Sequence, residues 1–216
     1  MSTSAKKRTR TAPATKRPAK RARSNFQQPR RKISQVEKKN FDATSTTTIV
    51  AAQSTATVLQ IFTPDQGTAP TEHVGRRTNA VSLTYKWEGS FAPTTVGSSP
   101  LRMLIVYDKQ PNAATPATTT IVVSDIIVTL MNLQNSRRFK VIADEIIPEF
   151  GVNGPASFMI SGFRSINLET EYNDVNGGTI ADITTGSMIA LFWQNGNIIT
   201  ASPTNAFFSR VRFTDM

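Results

Sequence analysis

The chain has 216 residues, no cysteine and a formal net charge of +10; one large domain or two small ones fit that length, and disulfides and thiolate metal sites are excluded. The charge is uneven: residues 1–39 carry fourteen Lys or Arg against the single acid Glu37, while residues 40–216 carry eleven against fourteen acids. A cationic segment of +13 therefore precedes a body of −3.

The segment KKRTRTAPATKRPAKRARSNFQQPRRK (6–32) holds twelve cations and no acid: Lys6, Lys7, Arg8, Arg10, Lys16, Arg17, Lys20, Arg21, Arg23, Arg30, Arg31 and Lys32. Between Lys6 and Val36 the large apolar residues are Phe26 and Ile33, and Pro13, Pro18 and Pro29 break up the run. That composition buries too little apolar surface to offset the entropy of ordering, so residues 1–40 are expected to form a largely disordered arm until they meet an anion. Blocks of like charge commonly serve as nucleic-acid tails. A solvated charge run is the plainer reading, but solubility alone does not require this density.

Lys6-Lys7-Arg8 and the cluster Lys16, Arg17, Lys20 and Arg21 also have the form of nuclear localisation signals, which predicts a nuclear import receptor as a partner. No apolar run of membrane-spanning or secretory-signal length is present, so no membrane partner is expected. Phe26 has two candidate roles, stacking on a base or anchoring the arm to a neighbouring subunit. Arg30, Arg31, Lys32, Lys38 and Lys39 are expected to face the bound polymer, with Gln35–Asn40 as a short helix if the arm orders.

From Thr44 the character changes. TSTTTIVAAQSTATVLQIF (44–62) is rich in Thr, Val and Ile, which suit a pleated strand. In 79–89 Val81, Leu83, Tyr85 and Trp87 alternate with Ser82, Thr84, Lys86 and Glu88, the period of a half-buried strand. LRMLIVYD (101–108) is nearly all apolar, as a strand covered on both faces would be. Further strands are predicted at 137–150 up to Pro148, at 163–172 with Ile166, Leu168 and Tyr172 on one face, and at 178–186. The run 187–194 predicts a buried strand ending at the Asn195-Gly196 turn signal. In 207–215, Phe207, Val211 and Phe213 oppose Arg210 and Arg212.

One helix is predicted over 125–133, capped by Ser124, with Ile126, Ile127, Leu130 and Met131 as its stripe. About eight strands without regular intervening helices predict an all-β fold, a single eight-stranded jelly-roll sandwich over 41–216.

Residues 104–117, LIVYDKQPNAATPA, are followed by SDIIVTLMNLQN and then Arg138-Phe139-Lys140. This order resembles the capsid proteins of small circular single-stranded DNA viruses that encode a rolling-circle replication protein. In many of these a strand ends in Tyr-Asp-Lys-Gln-Pro-Asn-Gly before a Pro/Thr-rich loop, a short helical stretch and an Arg-Phe-Lys strand. The geminivirus and satellite tobacco necrosis virus coats are similar in outline. Ala113 stands where Gly is usual, and the Cys and His residues of geminivirus coats are missing, so no zinc-linked role carries over. The resemblance implies a homo-oligomeric icosahedral shell of sixty copies (T=1), a single-stranded DNA genome as cargo, with RNA as the alternative, and residence in the virion and the host nucleus. Sixty such arms would supply roughly 780 positive charges, enough to offset much of a genome of a few kilobases.

Catalysis finds little support. His73, the one histidine, sits in a polar loop and reads as a surface residue. Asp144, Glu145 and Glu149, and Glu169, Glu171 and Asp174, are candidate oxygen ligands for Ca²⁺, but solvated or ion-paired acids are the better reading, so neither a metal nor a cofactor is expected. Trp87, Phe91, Phe192 and Trp193 could stack bases; their strand settings favour core or interface. At least one of the loops 63–80, 92–100 and 113–120 is expected on an outer surface. The competing readings are a satellite-type RNA virus capsid, a non-viral nucleic-acid-binding protein, which would need a basic face on the body, and a lectin-like or enzymatic jelly roll, which leaves the arm unexplained.

Overall fold

The computed structural model describes residues 37–46, 56–90, 100–124, 128–148, 157–173, 178–194 and 204–216. Among them run nine strands: β1 (Lys39–Ser45), β2 (Thr57–Gln60), β3 (Arg77–Ser90), β4 (Leu101–Asp108), β5 (Phe139–Ile147), β6 (Ser157–Tyr172), β7 (Ile183–Thr185), β8 (Ser187–Gln194) and β9 (Thr204–Asp215). They form two antiparallel sheets, ordered β1-β9-β3-β6-β7 and β2-β8-β4-β5. The fold is all-β.

The run 44–62, whose composition suits pleated strands, contributes to two strands in different sheets, β1 and β2. Lys39 and Asn40, assigned to the arm and to a short helix, are the first residues of β1, paired with Phe213 and Arg212 of β9.

The periodicities explain the layers. In β3, Leu83, Tyr85 and Trp87 are buried while Thr84, Lys86 and Glu88 are exposed, so one face of the five-stranded sheet packs inward and the other meets solvent. Val81 does not keep its predicted inward place. The register of β3 shifts between Ala80 and Ser82, and Ala80 is the fully buried residue instead. Such a bulge moves every side chain beyond it to the opposite face.

The apolar runs of β4 and β8 are covered on both sides, as predicted. Met103, Ile105, Tyr107, Met188, Ala190 and Phe192 join the core between the sheets. Their alternates Leu104, Val106, Ile189, Leu191 and Trp193 join a second cluster with Ile121, Val122 and Phe139. Between the sheets the aromatic rings meet at angles: Trp87 and Phe192 lie 5.4 Å apart, Phe192 and Phe207 5.2 Å, and Phe62 and Phe213 5.3 Å. Each such pair adds about 0.5–1.5 kcal/mol beyond its burial.

The second cluster accounts for the failure of the helix predicted over 125–133. Val122 and Met131 form an antiparallel bridge, with Val123 N–H donating to the Leu130 carbonyl at 2.9 Å and Asn132 N–H to that of Ile121 at 2.9 Å. Residues 125–127 lie outside the described set, and 128–131 are not helical. The β-branched run is costly in a helix, and Ile121 and Val122 are better used as a lid on β4 and β8. The helical turns come to either side, at α1 (Thr118–Ile121) and in a 3₁₀ turn at Leu133–Asn135.

Strand β6 begins six residues before its predicted start. Its first half includes Gly162, where a Cβ would lie 2.2 Å from the Tyr85 ring atoms. Only glycine lets that ring lie across the strand.

Tyrosines hold the two sheets together. Tyr85 of β3 donates to Glu145 Oε1 of β5 at 2.6 Å, and Arg164 of β6 reaches the same oxygen at 3.1 Å. Tyr107 of β4 donates to the Glu169 carbonyl of β6. Burial, then the nearby carboxylates, pushes the hydroxyls of Tyr85 and Tyr107 up to about 12; burial also raises that of Tyr172, the third tyrosine of the chain. A pKa raised on folding gives stability that is complete below the unfolded value, about 10, and is lost as pH climbs through the folded one. Tyrosinate absorbance should therefore stay low past pH 10 and rise together with unfolding near pH 12. An ordinary titration centred on pH 10 with the fold intact would contradict this.

Candidate nucleic-acid interface

The twelve cations predicted to bind nucleic acid, Lys6 through Lys32, lie outside the described residues, as do Phe26, Phe91, Glu149 and Asp174. Lys38 is exposed. Lys39 is not. It is 3% exposed, and its ammonium donates to the Glu72 carbonyl at 2.9 Å and meets Asp215 at 3.0 Å. A lysine buried to this extent and held by a carboxylate and a carbonyl is not presented to a phosphate. It fixes the start of β1 to the last strand.

The end of β4 and the residues before β5 form a latch. Asp108, at the end of β4 and fully buried, receives two parallel hydrogen bonds from Arg138, each 2.7 Å, and a third from Gln110 N–H at 3.0 Å. Lys109 bridges to the same segment through its backbone N–H to Arg138 and its ammonium to the Arg137 carbonyl. Asn112 and Ala113 both have left-handed backbones, φ 52° and 55°. Ala113 thus keeps the conformation that Gly would favour, at a cost of roughly 1–2 kcal/mol.

Of the described members of the carboxylate clusters, three are engaged through their side chains, while Glu169 is exposed and offers only its backbone carbonyl, to Tyr107. Asp144 receives both arms of Arg102 at 2.8 and 2.7 Å, Glu145 serves Tyr85 and Arg164, and Glu171 meets Arg77 at 3.3 Å. No set of three metal-ligating side chains occurs among the described residues. Trp87, Phe192 and Trp193 are core residues with at most 3% exposure, unavailable for stacking. His73 is buried rather than on the surface. Its ring stacks on Tyr172 with centroids 3.9 Å apart, and Nδ1 lies 2.6 Å from the Gly75 carbonyl. That stack pins the loop 63–76, which further bonds between Gly67, His73 and Asp65 fold on itself. Residues 113–115, in the third predicted surface loop, are exposed; residues 91–99 lie outside the described set.

One cationic surface does lie in the body. On the solvent face of the five-stranded sheet, β9 presents Phe208, Arg210 and Arg212 in alternation, opposite Lys86, Thr84 and Ser82 of β3 and Thr44, Asp42 and Asn40 of β1. Phe163 of β6 sits opposite Thr84. These residues outline a shallow cavity of about 330 Å³ bounded by Asp42, Thr44, Thr84, Lys86, Phe208 and Arg210. Arg210 is paired to Asp42 at 2.7 and 2.6 Å, an exposed pair that lowers the Asp42 carboxyl below its ordinary range. Lys86 and Arg212 have no ion-pair partner among the described residues. Phe208 and Phe163 are 42% and 61% exposed.

The chain matches no protein-family model and no curated protein.

Proposed function

We propose that the protein is a structural viral capsid subunit, without enzymatic activity, whose body is a jelly roll and whose Arg/Lys-rich arm packages single-stranded DNA. The observation that carries the reading is the joining of two unlike parts: twelve cations in 27 residues, followed by a body of two antiparallel sheets, which we read as a jelly roll. In the orders β1-β9-β3-β6-β7 and β2-β8-β4-β5, first and last strands are neighbours in one sheet, and second and penultimate strands are neighbours in the other, which supports that reading. Such a sandwich tiles by repeating one set of contacts, and closed symmetric assemblies follow. Shell closure by sixty copies is the simplest icosahedral case.

The arm's chemistry suits packaging. Lys and Arg neutralise phosphates and release counterions without reading sequence, and a shell must accept whatever genome it encloses. The latch between Asp108 and Arg138 gives the residues shared with the viral capsid proteins a structural role in the body. The basic clusters at 6–8 and 16–21 supply nuclear import before assembly covers them. The buried, stacked His73 and the paired carboxylates favour a scaffold over a catalyst.

A satellite-type RNA virus capsid is the second reading, since the arm serves either polymer; the Tyr107–Asn112 and Arg138–Lys140 resemblance favours DNA. Sedimentation of the purified protein with single-stranded DNA tests the proposal: particles far larger than a monomer, holding nuclease-resistant DNA, are expected. Monomers alone across salt and pH would refute it.

A further inference from the structure

We infer that the solvent face of the five-stranded sheet is a second binding surface for single-stranded nucleic acid, built by Phe208, Phe163, Lys86 and Arg212. The inference rests on the proposal that the cargo is single-stranded nucleic acid, and it assigns part of the binding to the folded body.

Three observations carry it. The first is charge. Most body arginines are spent on carboxylates: Arg77, Arg102, Arg138, Arg164 and Arg210 each hold one. Lys86 and Arg212 are exposed and lack such a partner among the described residues. They flank the Asp42–Arg210 pair, which is locally neutral, so the centre of this face is positive although residues 40–216 sum to −3. Glu88 and Glu169 share the face but lie on its rim, Glu88 opposite Met159 and Glu169 opposite Asn79.

The second observation is the pair of exposed rings. Phe208 and Phe163 stand on strands either side of β3, with Lys86 opposite Phe208 and Thr84 opposite Phe163. Strands lie about 4.8 Å apart and two residues along a strand span about 6.8 Å, so the rings are separated by roughly 12 Å. That distance is about two nucleotide steps of an extended strand, so alternate bases can each stack on one ring while phosphates meet Lys86 and Arg212. Aromatic platforms within a basic groove bind single strands of any sequence, since every base has a π-face.

The third is shape. The cavity between Phe208, Arg210, Thr84 and Lys86 is open and shallow, suited to a flexible polymer passing across it. A polysulfated sugar would satisfy the cations but would leave the two rings without a role.

The test uses the full-length chain with oligothymidylate. Ultraviolet cross-linking and mass spectrometry should find nucleotide adducts on the peptides containing Phe208 and Phe163, beside those on the arm. Phe208→Leu should cut the adduct yield at its peptide about fivefold or more, at an unchanged melting temperature. Lys86→Gln with Arg212→Gln should lower the log-log salt slope of binding by about 1.4, the share of two phosphates on a single strand. Adducts confined to residues 1–35, with a slope unchanged in the double variant, would overturn the inference and leave the arm's role standing. Adducts at Phe208 with none in the arm would support it and remove the arm from packaging. Heparin binding that depends on Lys86 and Arg212, with no DNA adduct at Phe208, would also overturn it and assign the face to a polysulfated sugar.

Discussion

A chain lacking residues 1–32 is expected to fold and to lose most of its packaged nucleic acid. Apart from Met1, the one large apolar residue within 1–32 is Phe26, so the deletion removes cations and little apolar side chain. A milder change separates charge from length. Replacing Arg21, Arg23, Arg30 and Arg31 with Ala should lower the salt slope of single-strand binding by about 2–3, each phosphate contact on a single strand contributing about 0.7. Thermal stability should hardly change. The readouts are the nucleic-acid content of purified particles and the midpoint of unfolding. Particles of the truncated chain filled to wild-type levels would mean that the arm is not the main packaging element, and the body's own basic face would take that place.

The largest expected effect on stability is at the latch. Asp108→Ala leaves the Arg138 guanidinium, 23% exposed, without its two hydrogen bonds, and Arg138→Ala leaves a fully buried carboxylate facing only Gln110 N–H. Removing one partner of a buried pair costs about 3–5 kcal/mol, which for a chain of this size lowers the melting temperature by on the order of 10 °C. The double variant should cost clearly less than the two single changes added together, because neither charge is then left stranded. Urea unfolding of the three variants provides the comparison. Additive losses would mean that Asp108 and Arg138 act separately, and that the end of β4 and the start of β5 do not form a unit.

What could be read from the sequence follows the range of the forces involved. β4 and β8 were legible because burial on both faces leaves an uninterrupted apolar run, and β9 because Phe207, Val211 and Phe213 alternate strictly with Arg210 and Arg212. The first half of β6 was not, since Gly162 carries no strand signal of its own; its reason is the Tyr85 ring on another strand. Val81 was misplaced because a bulge is set by pairing partners on both sides. Lys39 looked like the end of the charge run, but its partner Asp215 lies at the other end of the chain.

His73 was misread for a similar reason. A polar sequence neighbourhood suggested exposure, and Tyr172, almost a hundred residues away, provides the stack that buries it. The candidate surface on the sheet shows the limit most clearly. A net charge of −3 over 177 residues argued against a basic face, yet the register of three strands gathers Lys86, Arg210 and Arg212 on one side, with Asp42 neutralising only Arg210 and with Glu88 and Glu169 at the rim. Net charge averages over exactly the arrangement that matters to a polymer, whereas the periodicity of β9 already placed its two arginines on one face.

Electron microscopy of the purified full-length protein, before and after nuclease treatment, tests the central claim most directly. The account predicts closed particles of uniform size whose interior density persists through nuclease treatment and whose extracted contents are single-stranded DNA. Dispersed monomers under all conditions, or uniform shells that are always empty, would contradict it.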